Sequence, residues 1–374
     1  MAECLYIHIP FCIRKCLYCD FLSLPYDPAL AQRYTDALCR ELEMRNSDAA
    51  VLRTVYIGGG TPTILPEACL SQIFSRIRRS YTMAPEAEIT VEANPGTLTV
   101  EKAAVLHTLG VNRVSLGVQS FMDTELRTLG RIHTASEAEK CAGMLLAAGI
   151  GNLSLDLIYG IPGQSITTWK GSLDRAVSLS PTHISAYELT PEKGTPLDGS
   201  LTAGKLAMPE EELILEMSDL AIDFLAGRGF VHYEISNYAR DGYQCLHNLN
   251  YWDRGEYLAA GAGAHSFLND VRSSNTWDVR EYIETLTRGM LPVAESNEIP
   301  CETALSEFVF LGLRKTAGLG LKDCADRGLD LHGAAAGMIR EGLMELTDDH
   351  LRLTRKGLPV ANTVIVTLMG NLNL

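Results

Sequence analysis

Short apolar, β-branched runs alternate along this chain with segments of helical periodicity, and few folds accommodate such an alternation. The predicted strands are Cys4–Ile9, Thr54–Ile57, Ile89–Ala93, Arg113–Gly117, Leu153–Ile158 and Ile184–Leu189. The predicted helices between them are Pro28–Arg45, Pro66–Arg79, Val100–Leu109, Ala135–Gly149 and Thr167–Leu179. Strands joined by crossover helices pair in parallel, so about six such units predict an α/β protein with a partial (β/α)6, TIM-like barrel. An open doubly wound sheet is the less favoured alternative.

The βα rhythm fades after Pro191, and the rest of the chain reads differently. A helix is predicted from Pro209 to about Gly227, and a segment rich in Tyr, Asn, Gly and His follows. Helices from about Glu281 and a hairpin over Gly342–Leu353 predict a small, mainly helical, winged-helix-like C-terminal domain. The expected division is a barrel over 1–230, a connecting region over 231–280 and a C-terminal domain over 281–374.

The charge balance argues against a nucleic-acid partner. The 374 residues carry 32 Lys and Arg against 46 Asp and Glu, a formal net charge of -14, and contain no basic block. A structural or protein-docking role is therefore favoured over DNA binding for the C-terminal domain. The sequence has no signal peptide and no apolar run of membrane-spanning length, so we expect a cytoplasmic protein with at most peripheral membrane contact.

Three of the ten cysteines, Cys12, Cys16 and Cys19, lie within eight residues on the loop after the first predicted strand. Three thiolates this close can bind zinc or an iron–sulfur cluster. A zinc site normally has a fourth ligand in a second Cys or His pair, which the sequence lacks, although a zinc-binding scaffold stays open as an alternative. Three ligands on a four-iron cluster leave one iron open for a substrate or cofactor.

The CxxxCxxC spacing of this loop resembles the signature of radical S-adenosylmethionine (SAM) enzymes. That resemblance implies a [4Fe-4S] cluster on Cys12, Cys16 and Cys19, with SAM chelating the open iron. In that superfamily, one-electron reduction cleaves SAM to a 5′-deoxyadenosyl radical, so the resemblance also implies an electron donor for the cluster.

Further motifs resemble the oxygen-independent coproporphyrinogen III oxidase group, over Tyr6 to about Phe267. They are YIHIPFCIRKCLYCDF, YIGGGTPT, VEANPG, SLGVQSF, LGRIHT and LDLIYGIPGQ. The SAM-site positions implied by the resemblance are Tyr6, Gly59, Gly60, Thr61, Glu92, Gln119, Arg131 and Asp156. Glycines at Gly58 to Gly60 are expected to let the backbone approach the methionyl end of SAM, and Tyr18 is expected beside the adenine.

Two departures separate this chain from the oxidases proper. Phe21 replaces the fourth cysteine of their CxxxCxxCxC pattern, and the first strand starts too early to leave room for their N-terminal extension. The HNxxYW element in CLHNLNYW instead resembles the branch regarded as haem chaperones, the HemW type. Imidazole is a common axial ligand of haem iron, and His247 of this element is the predicted haem contact.

The predicted function is that of a radical-SAM-type haem chaperone that binds a [4Fe-4S] cluster, SAM and haem. It would transfer haem to an acceptor haem protein, for which the resemblance suggests a respiratory protein, and it suggests a homodimer. The alternative is the oxidase reaction, SAM-dependent oxidative decarboxylation of coproporphyrinogen III. Whether SAM is cleaved productively is left open, and no catalytic residue is assigned.

Overall fold

A computed structural model describes the backbone of residues 1–374 and the side chains of all of these except residues 48 and 50. The strands in the described chain are β1 (Ala2–Ile9), β2 (Phe11–Cys12), β3 (Leu24–Pro25), β4 (Ala49–Gly59), β5 (Met83–Ala93), β6 (Arg113–Gln119), β7 (Asn152–Tyr159), β8 (His183–Glu188), β9 (Val231–Glu234), β10 (Asn237–Ala239), β11 (Leu258–Ala260), β12 (His265–Leu268), β13 (Val271–Asn275), β14 (Val293–Glu298), β15 (Leu319–Gly320), β16 (Met344–Leu346) and β17 (His350–Leu353).

The α-helices in the same part of the chain are α1 (Pro28–Met44), α2 (Glu67–Ser80), α3 (Val100–Thr108), α4 (Asp123–Thr128), α5 (Ala135–Ala147), α6 (Ile166–Ser178), α7 (Pro196–Thr202), α8 (Glu211–Ala226), α9 (Leu246–Trp252), α10 (Val279–Thr287), α11 (Cys301–Gly312), α12 (Leu321–Asp326), α13 (Leu331–Arg340) and α14 (Ala361–Asn371). Short 3-10 helices span Asn46–Asp48, Pro62–Ile64, Pro95–Thr97 and Leu358–Val360.

Local signals set where the crossover helices begin. The Asp27 side chain accepts a hydrogen bond from the Leu30 N–H at 2.7 Å, and proline at the first position suits the start of α1. Thr134 and Glu137 form a reciprocal capping box at the start of α5. These caps satisfy backbone N–H groups that the helix itself leaves unpaired.

The large sheet has the order β11-β1-β4-β5-β6-β7-β8-β10-β9 in the described chain. All six predicted strands are present, and neighbouring pairs from β1 to β8 run parallel. This agrees with the predicted α/β fold of six βα units. Because β11 and β9 stand at opposite ends of the strand order, the sheet has two free edges.

The edges of this sheet come from the region that the sequence analysis treated as a connection over 231–280. Strand β11 pairs in parallel with β1, with Leu258 opposite Leu5, while β10 pairs antiparallel with β8. Strands β10 and β11 have only three residues each, too few to show a periodicity. Strand β11 forms because it pairs with β1 and is buried on the large sheet, and no local sequence pattern reveals that pairing.

The C-terminal part of the chain has a hydrophobic core of its own, built from α11 to α14 and the small sheet β15-β17-β16. The predicted hairpin over 342–353 is present as β16 and β17. This part attaches beside β9, where the Ile235 N–H donates to the Arg314 carbonyl at 2.9 Å and the Thr316 N–H donates to the Tyr233 carbonyl at 3.1 Å.

One strand had no signal in the sequence. The sequence of β14 (Val293–Glu298) is VAESNE, which lacks the alternation of apolar and polar residues that marks a half-buried strand. In the structure all six of these residues are exposed. The strand pairs antiparallel with β13. Separately, each helix in the described part of the chain is too short or too polar to cross a lipid bilayer.

Candidate functional site

A cavity of about 540 Å³ opens at the carboxyl ends of the parallel strands, the edge at which βα loops meet. Most of the residues predicted for the site line this cavity. They are Cys12, Cys16, Tyr18, Cys19, Gly59, Gly60, Thr61, Glu92, Gln119, Arg131 and Asp156. Two others, Tyr6 and His247, are not among the lining residues.

The loop that carries the three cysteines is held at both ends. Strand β2 pairs with β3, with Cys12 opposite Pro25, so the loop closes on itself. The Arg14 guanidinium donates to the Gly130 carbonyl at 3.0 Å, and the Lys15 ammonium donates to the Phe21 carbonyl at 2.8 Å. Both cations are therefore tied to backbone carbonyls, and they fix the loop above the cavity.

All three cysteines of the loop are free, half-buried thiols. The Cys12 sulfur lies 3.5 Å from the Thr61 hydroxyl, and the Arg131 Nη1 donates to the Cys16 sulfur at 3.3 Å. Burial raises the pKa of the Cys12 and Cys19 thiols. Without metal these two side chains are neutral thiols, so binding a metal cluster would release their protons.

The donor set suits a cluster with an open position. No three His, Cys, Asp or Glu side chains among the described residues are grouped closely enough to hold a single metal ion. The three sulfurs nevertheless face one cavity, and thiolates are the usual ligands of iron–sulfur clusters. The Arg131 Nε, buried beside Cys16, has no hydrogen-bond partner within the described residues. The site thus offers three soft ligands and an unused donor.

The glycines of the YIGGGTPT motif are required by close contacts within the protein itself. A Cβ at Gly60 would lie 2.7 Å from the Phe11 carbonyl oxygen, and one at Gly59 would lie 2.5 Å from the His8 ring. Gly59 also has a φ of 108°, a conformation that side chains disfavour. These glycines let β4 pass directly beneath the start of the cysteine loop.

Glu92, near the end of β5, is a half-buried carboxylate at the cavity wall. It accepts hydrogen bonds from the Tyr56 hydroxyl at 2.8 Å and from the Gly59 N–H at 3.1 Å. Burial raises its pKa to about 7, although these two donors oppose the shift. The carboxylate can therefore take up or release a proton near neutral pH, and its ionised form would attract a cation in the cavity.

Gln119 ends the neighbouring strand β6, and Asp156 lies within the next strand, β7. Gln119 has a φ of 70° and follows a register shift between β6 and β7, which turns the strand end at the cavity wall. Asp156 accepts hydrogen bonds from the hydroxyls of Ser115, Ser154 and Ser185, at 2.9, 3.3 and 2.8 Å. Three hydroxyl donors fix the position of this carboxylate.

Tyr6 lies one layer behind the cavity. Its hydroxyl is hydrogen-bonded to the His8 Nδ1 at 3.1 Å, and its ring stacks on Tyr56 with centroids 6.2 Å apart. Tyr56, which the sequence analysis did not select, lines the cavity in its place and holds Glu92. In this structure Tyr6 supports Tyr56, and its own contact with SAM stays a prediction.

His247, the predicted haem contact, is only 1% exposed. Its Nδ1 is hydrogen-bonded to the Thr54 hydroxyl at 2.7 Å and its Nε2 to the Tyr251 hydroxyl at 2.9 Å. Burial, with a smaller effect of Arg113, lowers its pKa to about 3. Direct contact with haem does not fit this conformation, because both ring nitrogens are engaged and the ring is buried.

The motif that contains His247 still reaches the cavity through Asn248, one of several lining residues that sequence reasoning missed. The others include Tyr56, Arg113, Ser115 and Ser185. A usable signal existed for the strand residues, because polar side chains or glycine recur at every second position of otherwise apolar strands, as in Ser115, Gly117 and Gln119. Asn248 belongs to the HNxxYW element, so the motif marked it although it was not selected as a site residue.

Comparison with known proteins agrees with this geometry. Residues 6–176 match the radical SAM superfamily, and residues 299–360 match the HemN C-terminal domain. The heme chaperone HemW of Mycobacterium tuberculosis is 37% identical over 372 residues, covering 98% of this chain and 94% of that protein. That of Bacillus subtilis is 36% identical over 377 residues, covering 98% of this chain and 99% of the relative.

A solved structure shows the same fold. Coproporphyrinogen III oxidase (HemN) of Escherichia coli, described as a radical SAM enzyme, superposes with a TM-score of 0.84. The superposition covers 97% of this chain and 89% of that one, at 21% sequence identity. At this identity the likeness extends to the fold and carries no statement about the reaction.

Proposed function

Because this chain belongs to the haem chaperone family within the radical SAM superfamily, we propose that it holds a [4Fe-4S] cluster, binds SAM beside it and passes haem to an acceptor haem protein. The observation that carries the proposal is the single cavity shared by the three thiols of Cys12, Cys16 and Cys19 and all of the predicted SAM residues except Tyr6. Coverage of nearly the whole chain by haem chaperone relatives supports the haem assignment.

Each cysteine would supply one thiolate to the cluster. Thr61 and Arg131 contact the sulfurs of Cys12 and Cys16, so both would orient ligands and Arg131 would offset their negative charge. When bound, the cluster would supply one electron at a time, and this requires an electron donor. In radical SAM proteins that electron is transferred to SAM. In this chain, residues at the carboxyl ends of the strands would bind SAM.

SAM would occupy the part of the cavity between the cysteine loop and the ends of β4 to β7. Gly59, Gly60 and Thr61 form one wall, and Gly60 and Thr61 both donate backbone hydrogen bonds to the cysteine loop strand, at 2.8 Å to Ile9 and 2.8 Å to Phe11. Glu92 would attract the cationic groups of SAM. Gln119, Arg131 and Asp156 supply the remaining polar contacts.

The proton on Glu92 sets an expected pH dependence. The pKa is about 7 in the folded protein, against about 4.3 for an unfolded glutamate. Between these values the folded state binds more protons than the unfolded state, so this group's contribution to stability falls as pH rises from about 4.5 to 7. Glu92→Gln is expected to remove that decline, measured by urea unfolding of both proteins at pH 5, 6, 7 and 8.

SAM affinity should change in the opposite direction. Ionised Glu92 attracts the sulfonium and ammonium charges of SAM, so wild-type affinity is expected to rise by about tenfold between pH 6 and 8. Glu92→Gln should bind weakly and without this rise, as read by equilibrium dialysis. Equal pH dependence in the two proteins would assign the proton to another group.

The haem proposal is tested with the full-length, anaerobically reconstituted protein. One haem per chain should bind, with a Soret band that moves to an acceptor apo-protein such as a respiratory haem protein when the two are mixed. Coproporphyrinogen III incubated with the same sample, SAM and a reductant should show no decarboxylation. Turnover of coproporphyrinogen without stoichiometric haem binding would instead identify an oxidase.

The ligand of the haem iron is a separate question from whether haem binds. Ligation by His247 stays a prediction for a conformation in which α9 has moved, since the Thr54 and Tyr251 hydroxyls occupy both of its ring nitrogens in the structure. The rest of the molecule offers a more accessible imidazole.

A further inference from the structure

Most of the nine histidines are unsuited to bind a metal ion from solution. His8, His183 and His247 have both ring nitrogens in hydrogen bonds. One ring nitrogen is bonded in three others, namely His133, His232 and His350. The remaining histidines, all exposed, are His107, His265 and His332.

Of the exposed histidines, His265 has distinctive surroundings. It is the first residue of β12, and its ring lies 6.4 Å from the ring of Trp277 at an interplanar angle of 72°. No hydrogen bond to either of its ring nitrogens occurs among the described side chains and backbone. Trp277 is 56% exposed, although large aromatic side chains normally bury most of their surface. An open imidazole therefore stands beside an exposed indole.

This pair adjoins the cysteine loop. A Cβ placed on Gly263 would lie 2.9 Å from the Leu22 side chain and 3.3 Å from the Trp277 ring, so Leu22 and Trp277 sit against the same point. The preceding residue, Phe21, is 64% exposed and lines the cavity. Phe21, Leu22 and Trp277 thus form an apolar surface, here called the rim patch, that continues from the cavity mouth to His265.

The edge of the rim patch carries positive charge. The Lys15 ammonium donates to the Phe21 carbonyl at 2.8 Å, and Lys15 is otherwise exposed. Binding a planar apolar ring system with a central metal ion and carboxylates on one edge requires a flat apolar surface, a free imidazole and a nearby cation. Here the rim patch provides the apolar surface, His265 the imidazole and Lys15 the cation.

We propose that haem binds on the rim patch, with its face against Trp277, its iron ligated by His265 and its propionates toward Lys15. This assignment rests on the proposed haem chaperone function and identifies where and through which ligand haem is held. It places the haem at the mouth of the cluster cavity and on the outside of the molecule. An acceptor protein could then remove it without unfolding α9.

The test compares two ligands on the same variants. Ferric haem reports both the face and the axial ligand, whereas metal-free protoporphyrin IX reports the face alone. His265→Ala is expected to weaken haem binding by at least about tenfold and to change the Soret and EPR signatures, with protoporphyrin binding unchanged. Trp277→Ala should weaken both ligands by several-fold, since it removes the shared surface.

Matched controls come from the other histidines. His332→Ala, an exposed position on α13, should leave both affinities and the spectra as in wild type. The proposal is overturned if wild type binds one haem and His265→Ala keeps its affinity and spectrum, or if His247→Ala alone loses the ligand signature. If wild type itself takes up no haem, the proposed function fails as well, which separates the two results.

Discussion

Alanine in place of Cys12, Cys16 or Cys19 is expected to remove most of the iron and sulfide that the reconstituted protein retains. The three sulfurs line one cavity, and no other cysteine lines it, within the described residues, to replace a lost ligand. A cluster with only two protein thiolates loses one of its anchoring bonds outright. Iron and sulfide analysis, with the charge-transfer absorbance near 400 nm, measures the loss.

The fold should survive these substitutions. All three side chains are half-buried on a loop outside the main hydrophobic core, so metal-free variants should unfold within about 0.5 kcal/mol of the metal-free wild type. Cys301→Ala, at an exposed thiol on α11, is the control and should retain a full cluster. Global unfolding of all three variants would mean that the loop is structural, as would zinc without sulfide in the wild type.

Gly60→Ala is expected to damage the site almost as severely by a different route. The added Cβ would lie 2.7 Å from the Phe11 carbonyl oxygen and 2.9 Å from the Phe11 nitrogen, and backbone atoms cannot move aside as a flexible side chain can. Either β4 or the strand that leads into Cys12 must shift. We expect a loss of about 1–3 kcal/mol of stability, together with weakened retention of the cluster and of SAM.

A second glycine provides the matched control. Gly143 lies within α5, and a Cβ there would meet no described atom within 4 Å. Gly143→Ala should therefore leave cluster and SAM binding intact and raise stability by about 0.5–1 kcal/mol, because alanine favours helix. Urea unfolding, iron content and equilibrium dialysis with SAM distinguish the two glycines. Wild-type behaviour of Gly60→Ala would show that the contact between β4 and the cysteine loop relaxes easily.

The cluster site and the SAM site are coupled through residues 59–61. Gly60 and Thr61 donate backbone hydrogen bonds to the strand end that precedes Cys12, and the Thr61 hydroxyl contacts the Cys12 sulfur. Gly59 in turn donates to Glu92, which Tyr56 also holds. A displacement of β4 therefore reaches the first cluster ligand and the titrating carboxylate together. This explains why the glycine substitution should alter metal retention and SAM binding at once.

Much of the site could be predicted because its residues sit at predictable places on predictable strands. Glu92, Gln119 and Asp156 lie in the carboxyl-terminal halves of three successive parallel strands, and the carboxyl ends of such strands meet at one edge. The role of Tyr6 at the SAM site stays a prediction, because its position on β1 indicates which face of the strand it occupies but not how deep it lies. Its depth is set by Tyr56 on the neighbouring strand.

The environment of His247 was even harder to predict from the sequence. Its sequence context suggests an aromatic haem site, yet its partner Thr54 lies 193 positions away along the chain. Whether a histidine is an open ligand or a buried, fully bonded side chain depends on such distant partners. His265 shows the reverse, since only the packed structure leaves its ring free beside Trp277.

The order of the βα units, the loop that carries the three cysteines and the strands that face it could all be predicted from the linear chain. Periodicity, capping and spacing are local properties of neighbouring residues. The strands at the sheet edges, the burial of His247 and the aromatic residues of the rim patch became known only from the packed molecule. Those outcomes follow from burial and hydrogen bonding between segments far apart in sequence, and these contacts exist only once the chain has packed.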